Sequence, residues 1–309
     1  MEASLSPERA RPESPTPPRD GDPAPVPEMP LSGRGALPNL LIIGAQKCGT
    51  SGLHYYLGLH PEVSMSKPKE LNFFIEDRNW QRGADWYARH FDARAKVCGE
   101  ASPNYTAYPQ HMGVPERMAS LVPDARLIYI VRDPLERIEA HWVHNYAKRR
   151  EKGDLSETLM HPNTSYLVRS QYFMQLQQFL KHFPAEHVLV LDQHDLRNQR
   201  LETLKTVFDF VGVDAGFQHP SFEQERHRTA RKKRATRLGI RLQRMSRTRY
   251  GRMIPRKAWL ALDLALPLSK PIERPDVRDS LDPEVLEVLR QDADRLREHT
   301  GRDFANWSL

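Results

Sequence analysis

The chain has 309 residues, 39% hydrophobic and 28% charged, with a formal net charge of +6. That length fits one large domain with appendages, and no run of eighteen apolar residues offers a membrane-spanning helix. Two cysteines, Cys48 and Cys98, exclude a disulfide-dense scaffold and a cysteine-rich zinc site, and without a secretory signal pattern a reducing, cytoplasmic setting is expected.

Residues 1–38 hold ten of the 25 prolines, with four basic and six acidic residues and no apolar periodicity, so a disordered proline-rich tail is expected there. The remaining 39–309 reads as one domain. Short apolar runs at 40–43, 96–99, 126–131 and 187–191 predict strands. Helices are expected from Thr50 onward and near 83–91, 115–122, 134–150, 165–183, 200–212 and 282–298. Strands alternating with helices give an α/β fold with a mostly parallel central sheet flanked by helices. Residues 226–257 carry 14 Lys/Arg and no Asp or Glu, so the basic character belongs to one segment and the rest of the chain is net acidic.

The first strand runs into Gly44-Ala45-Gln46-Lys47-Cys48-Gly49-Thr50-Ser51 and then a helix. Amides of such a loop, at the positive end of a helix dipole, form an anion cradle. Gly44 and Gly49 let the backbone turn, and Thr50 and Ser51 add hydroxyl donors. A nucleotide kinase or NTPase loop needs lysine just before the Ser/Thr. Here Lys47 sits three residues earlier, where a lysine can instead lie beside a 5′-phosphate and the atom that bridges it to a leaving group. Cys48, next to Lys47 and near a helix start, is expected to have a lowered pKa, to be alkylated with loss of activity, and to be protected by nucleotide.

These residues resemble the phosphosulfate loop of sulfotransferases that use 3′-phosphoadenosine 5′-phosphosulfate (PAPS), most of all the heparan sulfate and carbohydrate branch with its bacterial relatives. The resemblance covers residues 38–309 and implies a three-layer, P-loop-like fold with no metal requirement. Gly44, Gln46, Lys47, Cys48, Gly49, Thr50 and Ser51 would then bind the cofactor, with Lys47 catalytic and 3′,5′-ADP the product.

Further motifs fall in the family's order. After the 126–131 strand comes Arg132-Asp133-Pro134, which resembles the 3′-phosphate motif and makes Arg132 its ligand. The family's serine eight residues later is Ala140 here, so affinity should suffer unless His141 or His144 compensates. Lys69-Glu70-Leu71-Asn72-Phe73-Phe74 resembles the segment that carries the catalytic glutamate, which assigns Glu70 as general base, partly desolvated by its aromatic neighbours. His54 and His60 are the competing bases. Glu100-Ala101-Ser102-Pro103-Asn104-Tyr105 resembles a substrate-side motif, so Glu100, Ser102 and Tyr105 are expected on the acceptor cleft, although turn chemistry accounts for the same residues. Ser170-Gln171-Tyr172 matches a segment near the nucleotide in relatives, and core packing explains Tyr172 as well. Arg231, Lys232, Lys233 and Arg234 would close over the 3′-phosphate as part of a basic lid at 226–268. Residues 235–268 could cover an acceptor or rest on an anionic membrane.

The resulting reading is a PAPS-dependent sulfotransferase acting on a carbohydrate or small hydroxylated metabolite, with no nucleic-acid partner expected. The alternatives are a P-loop kinase or NTPase, and a basic nucleic-acid- or membrane-binding module.

Overall fold

The computed structural model describes residues 35–151, 153–159, 161, 164–224, 233–236 and 269–309. Five strands form the central sheet: β1 (Leu40–Gly44), β2 (Val63–Met65), β3 (Val97–Ala101), β4 (Arg126–Val131) and β5 (Val188–Asp192). They lie in the order β2-β3-β1-β4-β5, and every pairing is parallel. The fully buried run Leu40-Leu41-Ile42-Ile43-Gly44 takes the centre, as a strand covered on both faces must. From β1 the chain runs to β2 and β3 on one side and then crosses to β4 and β5 on the other, so the carboxyl end of β1 is a topological switch point. The pairing of β1 with β4 shifts between Ile42 and Gly44, and Ala45 N donates to Ile130 O at 2.6 Å, which turns the chain into the loop.

The helices are α1 (Thr50–Leu57), α2 (Gly83–Ala88), α3 (Val114–Leu121), α4 (Pro134–Ala147), α5 (Leu155–Leu159), α6 (Ser165–Val168), α7 (Tyr172–Leu180), α8 (Gln193–Asn198), α9 (Arg200–Val211) and α10 (Pro283–Thr300). The helix expected over 165–183 is two, broken at Arg169–Gln171. Strand β2 escaped the sequence reading because three residues carry no usable period. A two-stranded antiparallel ribbon, β6 (Lys233–Ala235) with β7 (Ser269–Pro271), lies against α4.

Helix α4 shows why the site sits where it does. Asp133 caps it, accepting from Glu136 N at 2.9 Å, and Pro134 occupies the first turn, where a missing N–H costs nothing. Leu135, Ile138, Trp142 and Val143 pack into a second apolar cluster with Leu155, Leu159, Tyr166, Leu167 and Leu289. The opposite stripe, Glu136, Ala140 and His144, continues to Lys148 and lines an open cleft. Four-residue spacing puts these side chains on one face.

The C-terminal residues return to the same region. Trp307 is buried and stacks on Phe304, with Tyr172 at 5.7 Å between ring centroids. Ser308 donates to the Asp133 carboxylate from its hydroxyl, at 2.6 Å, and from its amide. Among the described residues no helix is long and apolar enough to cross a membrane.

Candidate active site

A cleft of about 450 Å³ opens at the carboxyl ends of β1 and β4, lined by Gln46, Lys47, Gly49, Thr50, Ser51, Glu70, Arg132, Ala140 and His144 among others. The loop expected to bind phosphate, the strand-end arginine and the candidate base therefore share one wall-to-wall space. At Gly44 a Cβ would fall 2.0 Å from Thr106 Oγ1, so only glycine fits. Gly49, at φ +101°, is the residue before α1, a conformation that L side chains rarely adopt. Thr50 and Ser51 open α1, where the first amides precede any intrahelical acceptor, while Gly52 N already donates to Gly49 O at 2.9 Å.

Lys47 sits at φ 76° and Glu70 at φ 66°. Each is a non-glycine residue in the left-handed region, a strain of roughly 1–3 kcal/mol that surrounding structure must hold. Lys47 Nζ lies 3.3 Å from His144 Nδ1, so the ammonium is aimed across the cleft at α4. Glu70 is half exposed and its Oε1 accepts from Lys69 Nζ at 2.7 Å. The expectation that aromatic neighbours desolvate it is not met: Phe73 and Phe74 are fully buried in the core against Tyr87 and Trp80, away from the carboxylate.

The competing histidines are engaged elsewhere. His54 Nε2 meets Ser66 O at 3.1 Å, and burial lowers its pKa. His60 is buried with Nε2 3.0 Å from Asp214 O. Neither lines the cleft. Of the two histidines that could replace the missing serine beside Ala140, His144 faces the cleft. His141 is buried against Arg137 and Tyr166 and is held neutral, chiefly by burial and then by the Arg137 charge.

Glu100, Ser102 and Tyr105 do not line the cleft; they are buried behind it. The Glu100 carboxylate accepts from the hydroxyls of Tyr87, Ser102 and Tyr105, and burial raises its pKa. Ser102 Oγ accepts from Asn72 N and Tyr105 OH from Phe73 N, each at 2.9 Å. The trio thus braces the loop that presents Glu70. Glutamate buried beside a strand end looks alike in sequence whether it touches substrate or supports the loop that does.

Cys48 also corrects an expectation. Its side chain is fully buried, Sγ is 3.6 Å from Tyr172 OH, and burial raises the thiol pKa instead of lowering it. The chain turns at Cys48, whose amide donates to Ala45 O at 3.2 Å, so this residue supports the loop from beneath. Tyr172 and Ser170 belong to the same buried layer.

Arg132 directly follows β4 beside the cleft, ion-paired with Glu136, while its buried Nε has no partner among the described residues. Arg137 is fully buried without a carboxylate partner among the described residues; it donates to Ser170 Oγ at 2.6 Å and Tyr166 O at 2.5 Å and reaches Gln46 O at 3.5 Å. The sequence reading missed Arg197, Arg200, Lys148 and Arg274, which also line the cleft. Arg197 and Arg200 follow β5, so the rule that ligands gather at strand carboxyl ends points to them. Arg274, paired with Glu139 at 2.8 Å, carries no sequence signal. Arg231 and Lys232 lie outside the described residues, as does nearly all of 226–268; Lys233 and Arg234 are backbone members of β6. Among the described residues no group of three or more His, Cys, Asp or Glu is placed to hold a metal ion.

A family model described as "Sulfotransferase domain" matches residues 37–259. Over 195 residues the chain is 29% identical to bifunctional heparan sulfate N-deacetylase/N-sulfotransferase 2 of Homo sapiens, covering 57% of this chain and 22% of that protein. It is 30% identical over 197 residues to bifunctional heparan sulfate N-deacetylase/N-sulfotransferase 1 of Mus musculus, with 57% and 22% covered. The chain thus matches about a fifth of the length of these curated relatives. A solved sulfotransferase from Alicyclobacillus acidocaldarius aligns over 89% of this chain and 100% of its own, with TM-score 0.64 at 24% identity, a likeness of fold. The family match spans most of the chain and takes in both the β1 loop and the strand-end arginine, so the chain belongs to the sulfotransferase domain family, a family of transferases and not of nucleotide kinases.

Proposed function

We propose that this enzyme transfers a sulfuryl group from PAPS to a hydroxyl of a carbohydrate or small hydroxylated metabolite. The observation that carries the reading is the single cleft in which Lys47, the start of α1, Arg132 and Glu70 converge. The acceptor oxygen attacks sulfur, the bond from sulfur to the 5′-phosphate oxygen breaks, and 3′,5′-ADP departs. Lys47 and the amides at the start of α1 stabilise the charge that grows on the leaving oxygen. Glu70 takes the acceptor proton, a contribution on the order of 10²–10⁴ in rate. Arg132 grips the 3′-phosphate, and His144, Arg197 and Arg200 supply further donors around it. The names of the curated relatives, which refer to heparan sulfate, support a sugar acceptor. Cytoplasmic residence belongs to the same proposal.

Lys47→Ala tests it. Single-turnover loss of ³⁵S label from enzyme-bound PAPS should fall at least about 100-fold, with 3′,5′-ADP affinity changing far less. Turnover within about threefold of wild type contradicts the assignment. A screen of sugar acceptors with radiolabelled PAPS then identifies the second substrate.

A further inference from the structure

Arg169 follows α6 and is 7% exposed. Its guanidinium donates to three neutral amide oxygens: Nη1 to Gln46 Oε1 at 3.2 Å and Asn104 Oδ1 at 3.1 Å, and Nη2 to Gln110 Oε1 at 2.7 Å. Its Nε is buried without a partner, and among the described residues no carboxylate pairs with it. Burial, then the charges of Arg137 and Arg78, push its pKa down to about 10, so it stays a cation at neutral pH. A buried charge satisfied only by neutral groups is a poor way to stabilise a core; a methionine of similar length would avoid the desolvation.

What Arg169 does have is reach. Gln46 is the neighbour of Lys47. On the other side, Asn104 Nδ2 donates to Asn72 Oδ1 at 3.0 Å, and Asn72 Nδ2 donates to Glu70 O at 2.7 Å. One NH₂ group therefore links the two loops whose strained residues, Lys47 and Glu70, both line the cleft. We propose that Arg169 is a positioning residue that fixes the separation of Lys47 and Glu70, through Gln46 on one side and the Asn104–Asn72 relay on the other. The proposal rests on the roles given above to Lys47 and Glu70. A planar fork can serve both loops at once, which a lysine ammonium on a thinner stem does less well. The stake is geometric: a misplacement of about 1 Å can cost about 100-fold in rate.

The test uses the full chain with water as acceptor, reading single-turnover loss of ³⁵S from bound PAPS across pH, and the 3′,5′-ADP Kd by calorimetry. Arg169→Met and Asn104→Ala should each slow the reaction at least about tenfold and leave the Kd within about threefold, with the shape of the pH profile kept. Arg169→Lys should recover part of the loss, and the double variant should be little slower than the slower single one, because both cut the same relay. Asn104→Ala, at a half-buried loop position, keeps the question open to measurement if Arg169→Met fails to fold. Rates within about twofold of wild type in both variants, or a Kd that weakens in step with the rate, overturn the proposal. Glu70→Gln separates the two layers of the argument. A Glu70→Gln enzyme at wild-type rate marks failure of the base assignment, whereas an inactive one beside wild-type Arg169→Met and Asn104→Ala marks failure of the strut alone.

Discussion

Lys47 and Glu70 both occupy positive φ, and both line the cleft. Other residues of the site make sharper predictions. Ala140 lines the cleft one turn before His144, in the place of a hydroxyl donor. Ala140→Ser should tighten 3′,5′-ADP binding by about tenfold in calorimetry, the value of a hydrogen bond to a charged group; unchanged affinity shows that the 3′-phosphate does not reach this position. Glu136 holds Arg132 in a partly exposed ion pair that a 3′-phosphate bound as proposed would have to displace. Freeing the guanidinium with Glu136→Gln should tighten 3′,5′-ADP a few-fold, in keeping with the modest worth of such pairs, about 0.2–1 kcal/mol. Weaker binding in that variant contradicts the competition. Cys48, buried with a raised pKa, should resist a thiol reagent in the native enzyme and react at the rate of unfolding. Rapid labelling of native protein contradicts the burial. The sequence marks Cys48 as sitting beside a lysine at a helix start, but not that the side chain turns inward while the lysine turns out.

At the level of elements, α7 is held by α10. Asp292 of α10 accepts from Phe173 N and Met174 N, each at 2.9 Å, and burial raises its pKa to about 6 although the two amides pull it down. The unfolded value is near 3.9. The folded state therefore binds this proton more tightly, and the associated stability is present below about pH 4 and lost as pH rises through about 6. The stability of wild type relative to Asp292→Asn should fall from pH 4 to pH 7 by up to about 3 kcal/mol in urea unfolding, where other carboxylates cancel in the difference. A difference that grows with pH contradicts the burial of that carboxylate. Elements were legible where apolar runs are long: β1, β4 and β5 follow directly from their Leu, Ile and Val content. The break between α6 and α7 was not, because no Gly or Pro marks it; the cause is Arg169 turning inward to bond three side chains, a tertiary demand that overrides local propensity.

Across the whole molecule, sheet order does most of the work of assembling the site. A switch point at β1 brings the loop after β1, the arginine after β4 and the arginines after β5 to one edge; the first two were read from sequence because each directly follows a strand, whereas Arg197 and Arg200, set within the helices after β5, were missed. His144 and Lys148 needed the phase of α4, and Glu70 needed the brace of Glu100, Ser102 and Tyr105, neither of which a linear motif reveals. On the proposed reading the cleft takes a nucleotide phosphorylated at both the 3′ and 5′ positions of its ribose, with Lys47 and the start of α1 at one phosphate and Arg132 at the other. Calorimetry of 3′,5′-ADP against 5′-AMP, without added metal, tests that commitment most directly. We predict that 3′,5′-ADP binds at least about tenfold more tightly than 5′-AMP and that Arg132→Ala abolishes the difference. Equal affinity for the two nucleotides, or a preference that survives Arg132→Ala, contradicts the account.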